Sequence, residues 1–210
     1  MIRIALADDH KVVRLGLRAL LEGVKDFKVV AEAGDGKEIV ELVLREQPDV
    51  AVIDLAMPSL NGVEATRRIV RDMPQVKVLV LSMYTGEEYV REALGAGASG
   101  YLVKDSAADD LVEAIRKIAK GESFLSPAIA HFVEKRTGTA ATPLERLTTR
   151  EREVLQLIAE GNSNKEIAAR LTLSVKTIEA HRTNLMSKLD IHDTASLTRF
   201  AIARGLLRTE

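Results

Sequence analysis

The chain has 210 residues, 46% of them apolar and 29% charged, enough for one large domain or two modest ones with ordinary globular cores. The absence of cysteine excludes a disulfide framework and a thiolate metal site, and with no tryptophan the cores must be built from Val, Leu, Ile and Ala. The net charge of −1 hides an asymmetry: residues 1–120 carry 17 basic and 20 acidic side chains, residues 144–210 carry 11 and 9, so the sign turns positive at the C-terminal end, as nucleic acid binding favours.

In chain order, MIRIALADDH is a strand pattern running into acids, not a basic segment followed by an apolar one. The lack of cysteine fits a reducing cytoplasm, the location expected, and since no apolar run approaches the roughly 18 residues of a membrane span, a soluble chain with no membrane partner is expected. Apolar, β-branched runs stand at 2–7, 29–33, 50–55, 76–81 and 100–103, and helix-period stretches alternate with them near 11–22, 36–46, 62–72, 87–96 and 107–119. Runs such as VAVID and VKVLVL are apolar almost without interruption, the mark of strands buried on both faces. Five βα repeats predict a doubly wound α/β domain with a parallel five-stranded sheet, flavodoxin-like in plan, over 1–120. Capping boxes are expected at Thr85 with Glu88, Thr148 with Glu151 and Ser163 with Glu166. Residues 121–147 read as a linker carrying a short helix at 128–136, capped by Ser126 with Pro127 at its first position, then a flexible stretch at 137–143. Residues 148–207 contain only helix-period patterns, with four helices expected, and an all-α second domain is expected over 148–210.

Ligands of an open parallel sheet sit at the carboxyl ends of its strands. Asp8 and Asp9 end the first strand, Asp54 the third and Ser82 the fourth, and Lys104 follows the fifth. Three crowded carboxylates repel one another unless a cation joins them, and Mg²⁺ is the hard ion that suits carboxylate, water and phosphate oxygens. Lys104 adds a second positive charge. The set suits phosphoryl transfer to a carboxylate, with Asp54, alone at its strand end, as nucleophile, Asp8 and Asp9 as metal holders and Ser82 as a hydrogen-bond partner of the attached group. Solvated strand-end acids and a surface lysine are the plainer alternative.

ALADDH, VIDLAMPSLNG, VLS and GAGASGYLVK resemble the receiver domain of two-component response regulators over about 1–120. The resemblance implies Asp54 as phosphoacceptor, phosphorylated by a sensor histidine kinase. It also implies Mg²⁺ on Asp8, Asp9, Asp54 and the backbone carbonyl of Ala56, and Tyr101 as an aromatic switch that turns inward when Ser82 engages the phosphoryl group. Asp105 stands where many receivers have proline, Met83 follows Ser82 where small residues are frequent, and Ala56 and Tyr84 flank the line of water attack. No enzyme activity is expected beyond Mg²⁺-dependent self-phosphorylation from small donors and self-dephosphorylation.

In the last third, residues 149–160 form a helix stopped by Gly161, residues 163–171 a short second one, and Ser174 caps a third that runs to 189. This is the helix-turn-helix plan. Val175, Ile178, Leu185 and Leu189 are spaced to face the core. Lys176 and Arg182 then become the first candidates for reading bases, with Thr183 against a base or thymine methyl and Glu179 accepting from cytosine. Asn164 and Lys165 are placed for phosphate; Thr177, His181, Asn184 and Lys188 are further backbone candidates, with an internal hydrogen bond competing for His181. A four-helix interaction module with a solvated charged face is the alternative. SNKEIAARL and LSVKTIEAHRTNLMSKL resemble the LuxR-type helix-turn-helix of NarL/FixJ response regulators over about 145–207. That resemblance implies transcriptional regulation, a homodimer on DNA through a final helix near 194–204, and RNA polymerase as a further candidate contact.

Together the two halves lead us to expect that phosphorylation of the first releases the second for DNA. Two other classes stay open. An aspartate-nucleophile phosphohydrolase usually carries a second acid two residues after the nucleophile, where this chain has Ala56; a receiver working through protein partners would not need the full acidic set.

Overall fold

The computed structural model describes residues 1–106, 108–134, 143–144 and 146–207, with 131, 133 and 134 by backbone alone. The chain divides into two compact units, Met1–Thr137 and Gly138–Glu210. The stretch expected to be flexible at 137–143 lies, Pro143 apart, outside the described residues.

The first unit runs β1 (Ile2–Ala7), α1 (Lys11–Glu22), β2 (Phe27–Ala33), α2 (Gly36–Glu46), β3 (Val50–Asp54), α3 (Gly62–Asp72), β4 (Lys77–Ser82), α4 (Glu87–Gly95), β5 (Gly100–Val103), α5 (Ala108–Ala119), β6 (Phe124–Leu125) and α6 (Pro127–Glu134). All pairings are parallel in the order β2-β1-β3-β4-β5-β6. Alternation along the strands builds two cores. Ala5, Ala7, Ala51, Ile53, Val78, Val80 and Tyr101 pack with Ile39, Val43, Ile69 and Val90 of α2, α3 and α4. Ile4, Leu6, Val50, Val52, Leu79, Leu81 and Leu102 face α1 and α5 through Leu21, Leu111, Ile115 and Ile118. Strands buried on both faces explain the unbroken apolar runs.

Three expectations are corrected. The sheet has six strands rather than five, because Phe124–Leu125 pairs with Gly100 and Tyr101 at the edge. Two residues are too few to show a period, so only the open edge of β5 recruits them. Helix α6 then folds back with Ile129 fully buried in the first core, and the expected linker contributes its first half to the α/β unit. The Ser126 hydroxyl accepts from the Val103 N–H at 3.0 Å and meets the Ser106 hydroxyl at 3.2 Å, tying α6 to β5. Third, Thr85 and Glu88 form no capping box: α4 begins after Gly86, which caps it without a side chain.

The second unit packs α7 (Thr149–Ala159), α8 (Asn164–Leu171), α9 (Val175–Leu189) and α10 (Thr194–Ala203) around Val154, Leu155, Ile158, Ile167, Ile178, Leu185, Leu197 and Ala201. The boxes at Thr148/Glu151 and Ser163/Glu166 are both formed. Ser174 caps α9 by accepting from the Thr177 N–H at 3.1 Å. Val175 departs from expectation and is 37% exposed, since the first turn of α9 begins beyond the layer that Ile178 and Leu185 fill.

Candidate functional site

Strand register alone sets out the acidic pocket. Ala7 pairs with Ile53, so the next residues, Asp8 and Asp54, come side by side where the strand order reverses. Asp54 pairs with Leu81 and Ser82 with Val103, which carries Ser82 and Lys104 to the same edge. Lys104 is fastened there by its N–H to the Ser82 carbonyl at 2.8 Å, and the turn after it, with Asp105 in place of proline, closes through the Ser106 N–H on the Val103 carbonyl at 2.9 Å.

Asp8, Asp54 and Ser82 are buried, and Asp9 is at the rim. The Lys104 ammonium lies 2.7 Å from Asp8 Oδ2 and 3.0 Å from Asp54 Oδ2. Donor atoms of Asp8, Asp9, His10 and Asp54 all lie within 4.8 Å of one another. Three carboxylates against one ammonium leave the pocket net negative, and its donors are predominantly hard oxygens. The residues therefore fit a small divalent cation. Ala56 is buried in the loop that follows Asp54.

Two glycines press that loop into place. A Cβ on Gly62 would stand 2.1 Å from the Asp54 carbonyl oxygen, and one on Gly36 would stand 1.8 Å from that of Leu60. On the other side, the Ser82 hydroxyl accepts from the Tyr84 N–H at 3.1 Å, and the Tyr101 hydroxyl donates to the Tyr84 carbonyl at 2.7 Å. Tyr101 points inward, fully buried, and burial pushes its phenol above the ordinary range, so it stays a neutral donor. The Tyr84 ring stacks on Tyr89 of α4 at 4.6 Å. Met83 is half exposed and lines a cavity with Val13 and Leu17.

The second unit presents α9. Lys176, Glu179 and Thr183 are exposed, as is Lys165 at the start of α8. Thr177 shares a 2.8 Å hydrogen bond with Ser174. Other expected contacts are engaged within the unit. Arg182 donates to Asn164 Oδ1 at 3.3 Å and to the Thr194 hydroxyl, tying α9 to α8 and α10. Lys188 lies 2.6 Å from Glu151, whose side chain is buried. Burial alone would raise the Glu151 carboxyl, but the bonds from Lys188 and Thr148 hold it below its ordinary value. His181 is half-buried, and Asn184 is exposed.

A family described as the response regulator receiver domain matches residues 4–116, and one described as bacterial regulatory proteins, luxR family, matches residues 145–201. The transcriptional regulatory protein LiaR of Bacillus subtilis is 43% identical over 204 residues, which are 96% of this chain and 97% of LiaR. The chain is a NarL/LuxR-family two-component response regulator. The oxygen regulatory protein NreC of Staphylococcus carnosus is 40% identical, over 98% of this chain and 99% of its own. Among solved structures, RcsB from Salmonella enterica serovar Typhimurium, bound to promoter DNA in the presence of the phosphomimetic BeF₃⁻, matches with a TM-score of 0.67 and 29% identity, over 96% of this chain and 98% of RcsB. A further match, with a TM-score of 0.61, 28% identity and coverage of 97% and 98%, shows two RcsB dimers on two parallel DNAs. This response regulator thus combines a receiver with a LuxR-type DNA-binding domain and acts in transcription regulation; its families are not those of a conventional enzyme. Among the described residues, no helix is long and apolar enough to cross a membrane.

Sequence reasoning passed over several residues at these sites. Arg14 of α1 donates to the Asp8 backbone carbonyl and steadies the acidic turn, and His10 reaches the acids themselves. Glu151, seen only as half of a capping box, also receives Lys188. The spacing of Gly62 after Asp54 was the one available signal for a close backbone approach; nothing local marks the Arg14 or Lys188 contacts, which join different elements.

Proposed function

We propose that Asp54 is the phosphoacceptor of this response regulator, that a sensor histidine kinase supplies the phosphoryl group, and that the modified chain binds DNA as a homodimer in the cytoplasm. The observation carrying the first part is the Lys104 ammonium lodged between the buried carboxylates of Asp8 and Asp54. An Asp54 carboxylate oxygen attacks phosphorus, and the donor nitrogen or acetate leaves with the electron pair. Asp8, Asp9, Asp54 and the Ala56 carbonyl would hold Mg²⁺, which when bound neutralises charge on the phosphoryl oxygens. Lys104 turns to the attached group, the Ser82 hydroxyl, which accepts from the Tyr84 amide, donates its O–H to a phosphoryl oxygen, and Tyr101 keeps the loop inward through the Tyr84 carbonyl. Beyond this the protein catalyses only its own phosphorylation from small donors and its own dephosphorylation.

On DNA, Lys176, Glu179 and Thr183 are offered to the major groove by the exposed face of α9. Asn164, Lys165, Thr177 and Lys188 serve the phosphates, and Arg182 reads a base after giving up Asn164 and Thr194. RNA polymerase is a further partner at promoters. The test is a DNA-binding titration with and without acetyl phosphate and Mg²⁺. The wild type should gain affinity on phosphorylation, the gain should vanish in Asp54→Asn, and binding should weaken steeply with salt. Equal affinity under all conditions would sink the coupling and leave only a DNA reader.

A further inference from the structure

Ser126 stands between β6 and α6 and is buried, and its polar groups face two elements at once. Its N–H donates to the Tyr101 carbonyl at 3.0 Å, and its hydroxyl accepts from the Val103 N–H at 3.0 Å. Its carbonyl accepts from the Ile129 and Ala130 N–H groups at 2.9 and 3.1 Å, closing the first turn of α6. Capping alone does not explain this arrangement. A serine before a helix normally turns its hydroxyl back onto the first-turn amides, whereas this one engages Val103 and the Ser106 hydroxyl.

The strand that Ser126 holds is the one that leads to Lys104. Successive amides at its end point to opposite edges: the Val103 N–H goes to Ser126, and the Lys104 N–H to the Ser82 carbonyl at 2.8 Å. A single residue, Val103, therefore separates the Ser82–Lys104 edge of the pocket from the residue that opens α6. Tyr101 and Val103 are buried in one core and Leu102 in the other, so so short a strand moves as a unit. Beyond the joint, α6 seats Ile129 in the first core, and the chain runs on from it to the DNA-binding unit.

We propose that Ser126 is the positioning residue that passes the response of the pocket to α6. When Ser82 and Lys104 close on the phosphoryl group, β5 shifts at Val103, and the Ser126 hydroxyl draws the start of α6 with it. The inference rests on Asp54 phosphorylation controlling DNA binding, and the experiment separates the two. Full-length wild type and Ser126→Ala are compared in three measurements. These are labelling by acetyl phosphate with Mg²⁺, affinity for a duplex that the wild type enriches from a randomised pool, and amide exchange with and without beryllium fluoride. Alanine removes the hydroxyl and keeps the backbone bonds. The wild type should gain DNA affinity about tenfold on phosphorylation, and Ser126→Ala less than about twofold, with labelling and unphosphorylated affinity close to wild type. Beryllium fluoride should change exchange at Val103, Ile129 and Ala130 together in the wild type, and at Val103 alone in the variant. A full affinity gain in Ser126→Ala would overturn the proposal, as would a wild type that gains affinity with α6 exchange unchanged. Labelling and gain lost in parallel would make Ser126 a support of the receiver fold and would overturn it too. A wild type that takes no label, or gains no affinity when labelled, would instead overturn the phosphorylation reading beneath it.

Discussion

Asp54 is backed by a glycine that its backbone closely approaches. Gly62 opens α3 with its Cα against the Asp54 carbonyl, and any side chain there would meet backbone, which cannot rotate away. The Gly62 N–H also binds the Leu55 carbonyl at 2.8 Å, so the loop carrying Ala56 closes on the same point. Gly62→Ala should therefore lower stability by about 2–3 kcal/mol, the scale of an overpacked core, and displace the end of β3. Urea unfolding measures the first, and the rate of labelling by acetyl phosphate the second. A variant with wild-type values of both would show that the loop gives way freely.

At the scale of elements, the second unit is organised by acids at helix starts. The Glu151 carboxyl, though buried, is held low by Lys188 and Thr148, and the exposed Glu166 carboxyl is held low by the Ser163 side chain and backbone. A carboxyl lowered in the folded state binds fewer protons than in the unfolded chain, whose ordinary value is 4.5. The stabilisation is then complete above that value and is lost as pH falls through it and on through the lower folded values. We expect the first turns of α7 and α8 to loosen in mild acid before the apolar core does. Amide-exchange protection at Glu151 and Glu166, followed from about pH 6 to about pH 3, should fall in that window. In Thr148→Ala the Glu151 step should shrink, with a cap loss of about 1 kcal/mol. Protection constant across the range would remove these caps as the source of acid sensitivity.

The whole receiver unit is larger than its repeats. Five βα repeats end near residue 119, but β6 covers the edge of β5 and α6 packs against α4 with Ile129 buried in the first core. The same segment fastens β5, the strand that delivers Lys104, through the Ser126 hydroxyl on the Val103 amide. Ile129→Ala should thus cost about 2–4 kcal/mol in urea unfolding of the full chain, the range for a buried large-to-small change. A receiver fragment ending at residue 120 should likewise be less stable than one ending at 134. An unchanged midpoint in both would return α6 to the role of linker.

Local pattern was enough to place the alternation of strands and helices, the acids and serine at successive strand ends, the lysine after β5 and the helix-turn-helix of α8 and α9. Each depends on residues a few positions apart: β-branched runs, a 3.6-residue period, a Ser or Thr three before a Glu. Tertiary structure decided what depends on distant partners. Two-residue β6 exists only because β5 has an open edge, and Ser126 turned from its own helix to a strand. Val175 came out exposed because the core ends one turn deeper. Arg182 and Lys188 look outward by helical phase, yet they close on Asn164, Thr194 and Glu151, brought near by other helices. Helical phase gives a direction for a side chain, whereas a charge settles on whichever counter-charge or hydrogen-bond partner packing brings within reach.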